Sequence, residues 1–137
     1  MFAEFQAFAT GFPITLAHAL ASFALLIAGC GLQARLSPHR EIERIREGDA
    51  AAAISFGGLI LALAIPLAMS LNASASLAEV ALWGAATVAV QLLAFWLIDL
   101  LLTGLPQRSR EGDVAAAGLL VAAKLAVAII LAAAVAG

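Results

Sequence analysis

Four runs of predominantly apolar residues, Pro13–Gln33, Ala50–Ser70, Leu77–Thr103 and Val114–Ala136, take up most of this chain, and short polar segments separate them. Each run is long enough for an α-helix to cross the hydrocarbon of a bilayer, which takes about 20 residues. Backbone amides and carbonyls cannot go unpaired in that medium. A helix satisfies them within one segment, so the runs predict helices rather than open strands. The chain is 64% hydrophobic and only 12% charged, against about 25% charged residues in ordinary soluble domains. We therefore expect an all-α membrane protein of four transmembrane helices, a single membrane domain over residues 1–137.

The octet Arg46-Glu47-Gly48-Asp49-Ala50-Ala51-Ala52-Ala53 returns as Arg110-Glu111-Gly112-Asp113-Val114-Ala115-Ala116-Ala117. Each copy follows a polar segment and opens an apolar run, so the chain reads as two tandem two-helix repeats, 1–72 and 73–137. Because each unit holds an even number of spans, both share one orientation, and a pseudo-two-fold along the membrane normal is expected to relate them. All six arginines lie between the first two spans (Arg35, Arg40, Arg44, Arg46) or the last two (Arg108, Arg110). The N-terminus, the middle loop Leu71–Ala78 and the C-terminus carry neither Lys nor Arg. Positive charge is retained on the cytoplasmic side, which predicts cytoplasmic arginine loops and extracytoplasmic termini.

Local signals refine this outline. Gly11-Phe12-Pro13 predicts the start of the first span, since proline suits a first helical turn. Ile27-Ala28-Gly29-Cys30 has the look of a lipoprotein cleavage box, but that reading needs the opposite orientation. The alternative is a thiol packed as a small apolar group. Ser37 as N-cap and Pro38 in the first turn predict a short surface helix to about Glu47, with Glu43 and Arg46 paired along it. Gly48 and Gly112 then break the chain, and Asp49 and Asp113 cap the second and fourth spans. The repeated Glu47-Gly48-Asp49 and Glu111-Gly112-Asp113 are thus loop-and-cap devices. A second reading makes them a paired cytoplasmic acidic site for a cation or a basic partner.

On the second span Ala50, Ile54, Gly58, Ala62, Pro66 and Ser70 recur every four residues. This seam of mostly small side chains lets helix backbones approach closely where no hydrophobic effect drives association. Pro66 predicts a kink and a freed carbonyl on Ala62, either as a packing adjustment or as a hinge. Gly84, Thr87 and Gln91 form a face of the third span expected to meet protein. Trp83 is expected to anchor that span at its outer end and the deeper Trp96 to meet lipid or a neighbouring helix.

Lys124 is the anomaly. It lies about 16 Å into the membrane from Asp113 at 1.5 Å per residue, and a lysine there is unfavourable by roughly 2.5–3.5 kcal/mol. Gln91 lies at a similar depth, with Asp99 nearer the cytoplasm. Helical side chains lean toward their own N-terminus, so on antiparallel spans Lys124 and Asp99 lean toward each other. Three readings are open: a structural polar link from Lys124 to Asp99, Gln91 or both; snorkelling along a lipid face; or a polar path for an ion or substrate. His18 and His39 fall at different depths, which argues against a shared metal site. No phosphate-binding glycine loop, nucleophile with a nearby base or basic aromatic patch is present, so we expect no cofactor, no catalysis and no nucleic-acid partner.

The motifs Ser37-Pro38-His39, the repeated Glu-Gly-Asp-x-Ala-Ala-Ala, Gly58, Ala64-Ile65-Pro66-Leu67, Trp83-Gly84 and Val90-Gln91-Leu92-Leu93-Ala94-Phe95 resemble those of the YjfL-like family of uncharacterised bacterial inner-membrane proteins, domain of unknown function 350. The resemblance covers nearly the whole chain and implies four helices in two tandem halves. It brings no established chemistry. Some members are encoded near stress-response genes, which implies envelope maintenance by association. Lys124 departs from the small or weakly polar residues usual in the family's last helix. The expected function is a homo-oligomeric structural or accessory envelope component in contact with the lipid bilayer, with a cytoplasmic or membrane protein as candidate partner. The alternative is a small oligomeric channel or transporter whose path is lined by Gln91, Asp99 and Lys124.

Overall fold

The computed structural model describes residues 1–36 and 40–137. The chain order is α1 (Phe2–Leu36), α2 (Glu41–Arg46), α3 (Ala50–Ala73), α4 (Leu77–Leu101), α5 (Leu105–Arg110) and α6 (Val114–Ala136). Of these, α1, α3, α4 and α6 are long and apolar enough to cross a membrane.

The two Arg-Glu-Gly-Asp turns start α3 and α6 by the same chemistry. Gly48 and Gly112 take φ of 91° and 93°, a left-handed conformation that side chains disfavour. The chain then extends, and the aspartate that follows accepts from the free amides of the new helix. Asp49 Oδ1 accepts from Ala52 N at 3.1 Å and Asp113 Oδ1 from Ala116 N at 3.2 Å. An arginine five residues earlier closes each turn, Arg44 Nε at 2.9 Å from Asp49 Oδ2 and Arg108 Nη2 at 2.6 Å from Asp113 Oδ2. These bonds hold both carboxyls below the usual aspartate range, the backbone amide contributing most and the arginine adding to it. At the far end of the bundle, Ser76 caps α4 through Glu79 N, and Glu79 reaches back to Ala75 N.

Close backbone approach sets the packing. A methyl group placed on Gly58 would lie 2.4 Å from Val121 Cγ1, so α3 and α6 meet at a point where only glycine fits. One placed on Gly84 would lie 2.5 Å from Leu25, where α1 lies on α4. Between the helices the core contains Leu59, Ala62, Leu63, Leu67, Val88, Phe95 and Ala128. Dispersion between such surfaces, each contact small, holds helices together where lipid is as apolar as leucine. Gly58, Ala62, Pro66 and Ser70 are all buried, and α3 is continuous through Pro66. At the start of the expected seam, however, Ala50 is exposed and Ile54 only half-buried. Gly84, Thr87 and Gln91 face protein, whereas Trp83 and Trp96 face outward.

Several sequence expectations are corrected. Helix α1 starts at Phe2 rather than at Pro13, which lies inside it. Proline removes a single backbone bond, and the residues before it are helix-compatible, with Phe8 stacked on Phe12 at 5.0 Å. At 35 residues, α1 is about 52 Å long. Helix α2 begins at Glu41, because Arg40 has a non-helical ψ of 66°. The expected Ser37 cap, Pro38 turn and His39 lie outside the described residues. Glu43 pairs with Arg40 at 3.4 Å rather than with Arg46. Helix α4 ends at Leu101, short of Thr103. The unforeseen α5 then begins at Leu105, preceded by Gly104 with a φ of 88° and with Pro106 in its first turn.

Candidate functional site

Lys124 on α6 and Asp99 on α4 form an ion pair inside the bundle, with Nζ 3.2 Å from Asp99 Oδ1. The lysine side chain is 15% exposed and the aspartate 32%. Oδ1 has no hydrogen-bond donor. The pair is therefore held by charge rather than by a directed bond. The ammonium also lies 5.4 Å from the centroid of the Phe95 ring. A desolvated cation over an aromatic face gains about 2 kcal/mol. Gln91, completely buried, donates from Nε2 to Lys124 O at 3.3 Å and ties α4 to α6 about two turns along α4 from Asp99. Its Oε1 has no partner.

A polar pocket of about 70 Å³ adjoins the pair and is lined in part by Gln33, Glu41, Ser55, Asp99, Ser109, Arg110 and Lys124. Ser55 and Ser109 share a hydrogen bond at 3.0 Å, which docks α5 on α3. Burial pushes the Glu41 carboxyl up, and Asp99 pushes it further the same way, against the opposing pull of Lys124, Arg44 and Arg110. The pocket thus gathers two cations and two carboxylates from α2, α4, α5 and α6. Such a set can hold one small ionic group or lock the arginine-bearing end of the bundle. Around Lys124 the interior holds fully buried Phe95, Ala62 and Ala128 together with the buried polar side chains of Gln91, Thr87 and Ser70.

The structure thus brings together Lys124, Asp99 and Gln91. It keeps apart from them the Glu-Gly-Asp turns, where Asp49 and Asp113 are each engaged by their own helix and arginine. Glu47 and Glu111 are exposed and end α2 and α5. Among the described residues no three His, Cys, Asp or Glu side chains are placed to hold a metal ion. Phe95, Glu41, Arg110 and Ser109 were not assigned to this site by sequence. For Phe95 the signal was present, since it follows Gln91 by four residues and so shares its helix face.

The sequence profile of the family described as Domain of Unknown Function (DUF350) matches residues 7–135. The chain belongs to the DUF350 family. It is also similar to the UPF0719 inner membrane protein YjfL of Escherichia coli, from strain K12 and from O157:H7. Each is 27% identical over 93 residues, which cover 68% of this chain and 70% of the relative. No solved structure matches. Lys124 and Asp99 both fall within the residues matched to DUF350, a membrane-protein family of unknown function.

Proposed function

We propose that this DUF350 protein is a structural or accessory component of the bacterial inner membrane, not an enzyme, and that it assembles as a homo-oligomer linked to envelope stress. Its two halves, 1–72 and 73–137, are read as tandem two-helix units related by a pseudo-two-fold along the membrane normal. The matching geometry of the Gly48-Asp49 and Gly112-Asp113 turns supports this. The arginine distribution supports extracytoplasmic termini and a cytoplasmic end formed by α2, α5 and the capped turns. That end is the surface for a cytoplasmic or membrane protein partner.

One observation carries the accessory reading. The intramembrane charges of Lys124 and Asp99 neutralise one another, and the Lys124 ammonium lies over fully buried Phe95. Charges paired in this way serve to join α4 to α6 within one copy. The small polar pocket favours a second reading, a channel or transporter whose path runs between copies with Lys124 and Asp99 at its rim. Purified protein in liposomes separates the two. The accessory reading expects no ion or solute flux and a protein partner recovered from native membranes. Flux that disappears in Lys124→Ala, with assembly intact, would overturn it in favour of transport.

A further inference from the structure

A groove of about 630 Å³ lies between α1, α4 and α5, apart from the small polar pocket except where Gln33, Asp99, Pro106 and Arg110 border both. Its volume is that of a small-molecule site, which spans about 300–1,000 Å³. The walls toward the middle of the bundle are Ala89, Leu92, Leu93 and Trp96 from α4, and Leu32 and Leu36 line it from α1. Along α4 the lining runs from Ala89 to Leu100, about 16 Å at the helical rise. That is close to half of a hydrocarbon core about 30 Å thick, so the groove is as long as one leaflet is deep. Its charged lining, Asp99 and Arg110, lies toward the arginine-bearing end.

We propose that this groove binds an anionic phospholipid of the cytoplasmic leaflet, with its phosphate on Arg110 and one acyl chain along Leu92, Leu93 and Trp96. The inference needs the arginine end to face the cytoplasm but is independent of the accessory function, because lipid contact is read without reference to flux or partners.

Charge selects the head group. Arg44 and Arg108 are each committed to an aspartate, whereas Arg110 is exposed and has no carboxylate within ion-pair distance among the described residues. A guanidinium offers parallel donors that match a phosphate, and basic pockets between transmembrane helices on the cytoplasmic side suit lipid head groups. Two carboxylates stand nearby. Asp99 is paired with Lys124, and Glu41 lines the small polar pocket but not the groove, so both oppose an incoming anion weakly. The acyl chain supplies the apolar match, and the bilayer supplies the ligand.

Trp96, 58% exposed in the groove wall, is the reporter. With Trp83→Phe it is the one tryptophan left of two. The protein is reconstituted in phosphatidylcholine vesicles containing a minor fraction of either phosphatidylglycerol or phosphatidylcholine with brominated acyl chains. We expect the brominated phosphatidylglycerol to quench Trp96 several-fold more than brominated phosphatidylcholine at equal fraction. Arg110→Gln equalises the two, and Ala89→Phe, which fills the groove, lowers the preference without loss of helical circular dichroism. Inorganic phosphate leaves the preference in place. Equal quenching by both lipids in the Trp83→Phe protein overturns the proposal, as does inorganic phosphate abolishing the preference, since the site then takes a free anion rather than a lipid.

Discussion

Replacing Asp99 with asparagine should destabilise the bundle more than replacing Lys124 with methionine, and the two changes together should cost less than their sum. At 3.2 Å two unit charges attract by about 5 kcal/mol at an effective dielectric constant of 20. Desolvation of both groups offsets much of this, leaving a coupling of about 1–3 kcal/mol. The asymmetry follows from position. Asp99 lies two residues from the end of α4, is about one-third exposed and lines the polar pocket with Arg110, so without Lys124 its carboxylate keeps polar surroundings. Lys124 is deeper and less exposed. Without Asp99 it is left with the Phe95 ring and more distant Glu41, in a setting where an unpaired lysine is unfavourable by roughly 2.5–3.5 kcal/mol. The Lys124→Met change also retains most of the apolar stem. The assay is reversible unfolding in mixed micelles titrated with a denaturing detergent, followed by far-ultraviolet circular dichroism for the wild type, both single variants and the double variant. A coupling indistinguishable from zero would falsify the claim that the pair holds α4 to α6.

Gly58→Ala should destabilise the same bundle by about 1–3 kcal/mol through overpacking, because the new methyl would meet Val121 at 2.4 Å. Val121→Ala in the same chain should restore much of the loss in the detergent titration. Gln91→Leu should change stability by less than about 1 kcal/mol, since it removes one weak bond together with an acceptor that already lacks a partner. Acid should loosen the two capped turns. Asp49 and Asp113 have lowered pKa values when folded, so the folded state binds their protons less readily than the unfolded state. Their stabilisation is complete above the unfolded value of 3.8 and disappears as pH falls through the lower folded values. A double Asp49→Asn, Asp113→Asn protein should show a flatter acid limb in an unfolding scan against pH. With Cys30→Ser as background, Glu47→Cys should react with a membrane-impermeant thiol reagent only after the inner face is opened. Labelling in intact spheroplasts contradicts the proposed orientation.

Much of the fold was legible in the sequence because the bilayer leaves so few options. An apolar run of this length must satisfy its own backbone, so α3, α4 and α6 begin at the residues where their apolar runs begin. The Gly-Asp turns were equally readable, because a left-handed glycine followed by a capping aspartate is local chemistry written within a few residues. Local signals also misled. Pro13 read as a helix start because proline is favoured there, yet α1 passes through it, and Pro106 went unread although it opens α5 from the first turn. Proline marks where one bond is missing. Neighbouring residues decide whether a helix starts or continues there.

The meeting of Lys124 and Asp99 lies between these cases. Counting depth along two antiparallel helices brings both charges toward one level, since the helical rise and the lean of side chains are constants of the backbone. Which faces turn toward each other is not a local quantity. Phe95 beneath the ammonium, Glu41 folding back beside the pair and Arg110 standing at the end of an apolar groove each depend on the rotation of one helix against another. That rotation is decided where Gly58 admits Val121 and Gly84 admits Leu25, contacts between residues far apart in the chain. The sequence by itself determined the number of spans, their ends near the repeated turns and the presence of a charge that needs a partner. Only the tertiary structure decided which partner it has and what surrounds the two, because side-chain packing across helices depends on all of them at once.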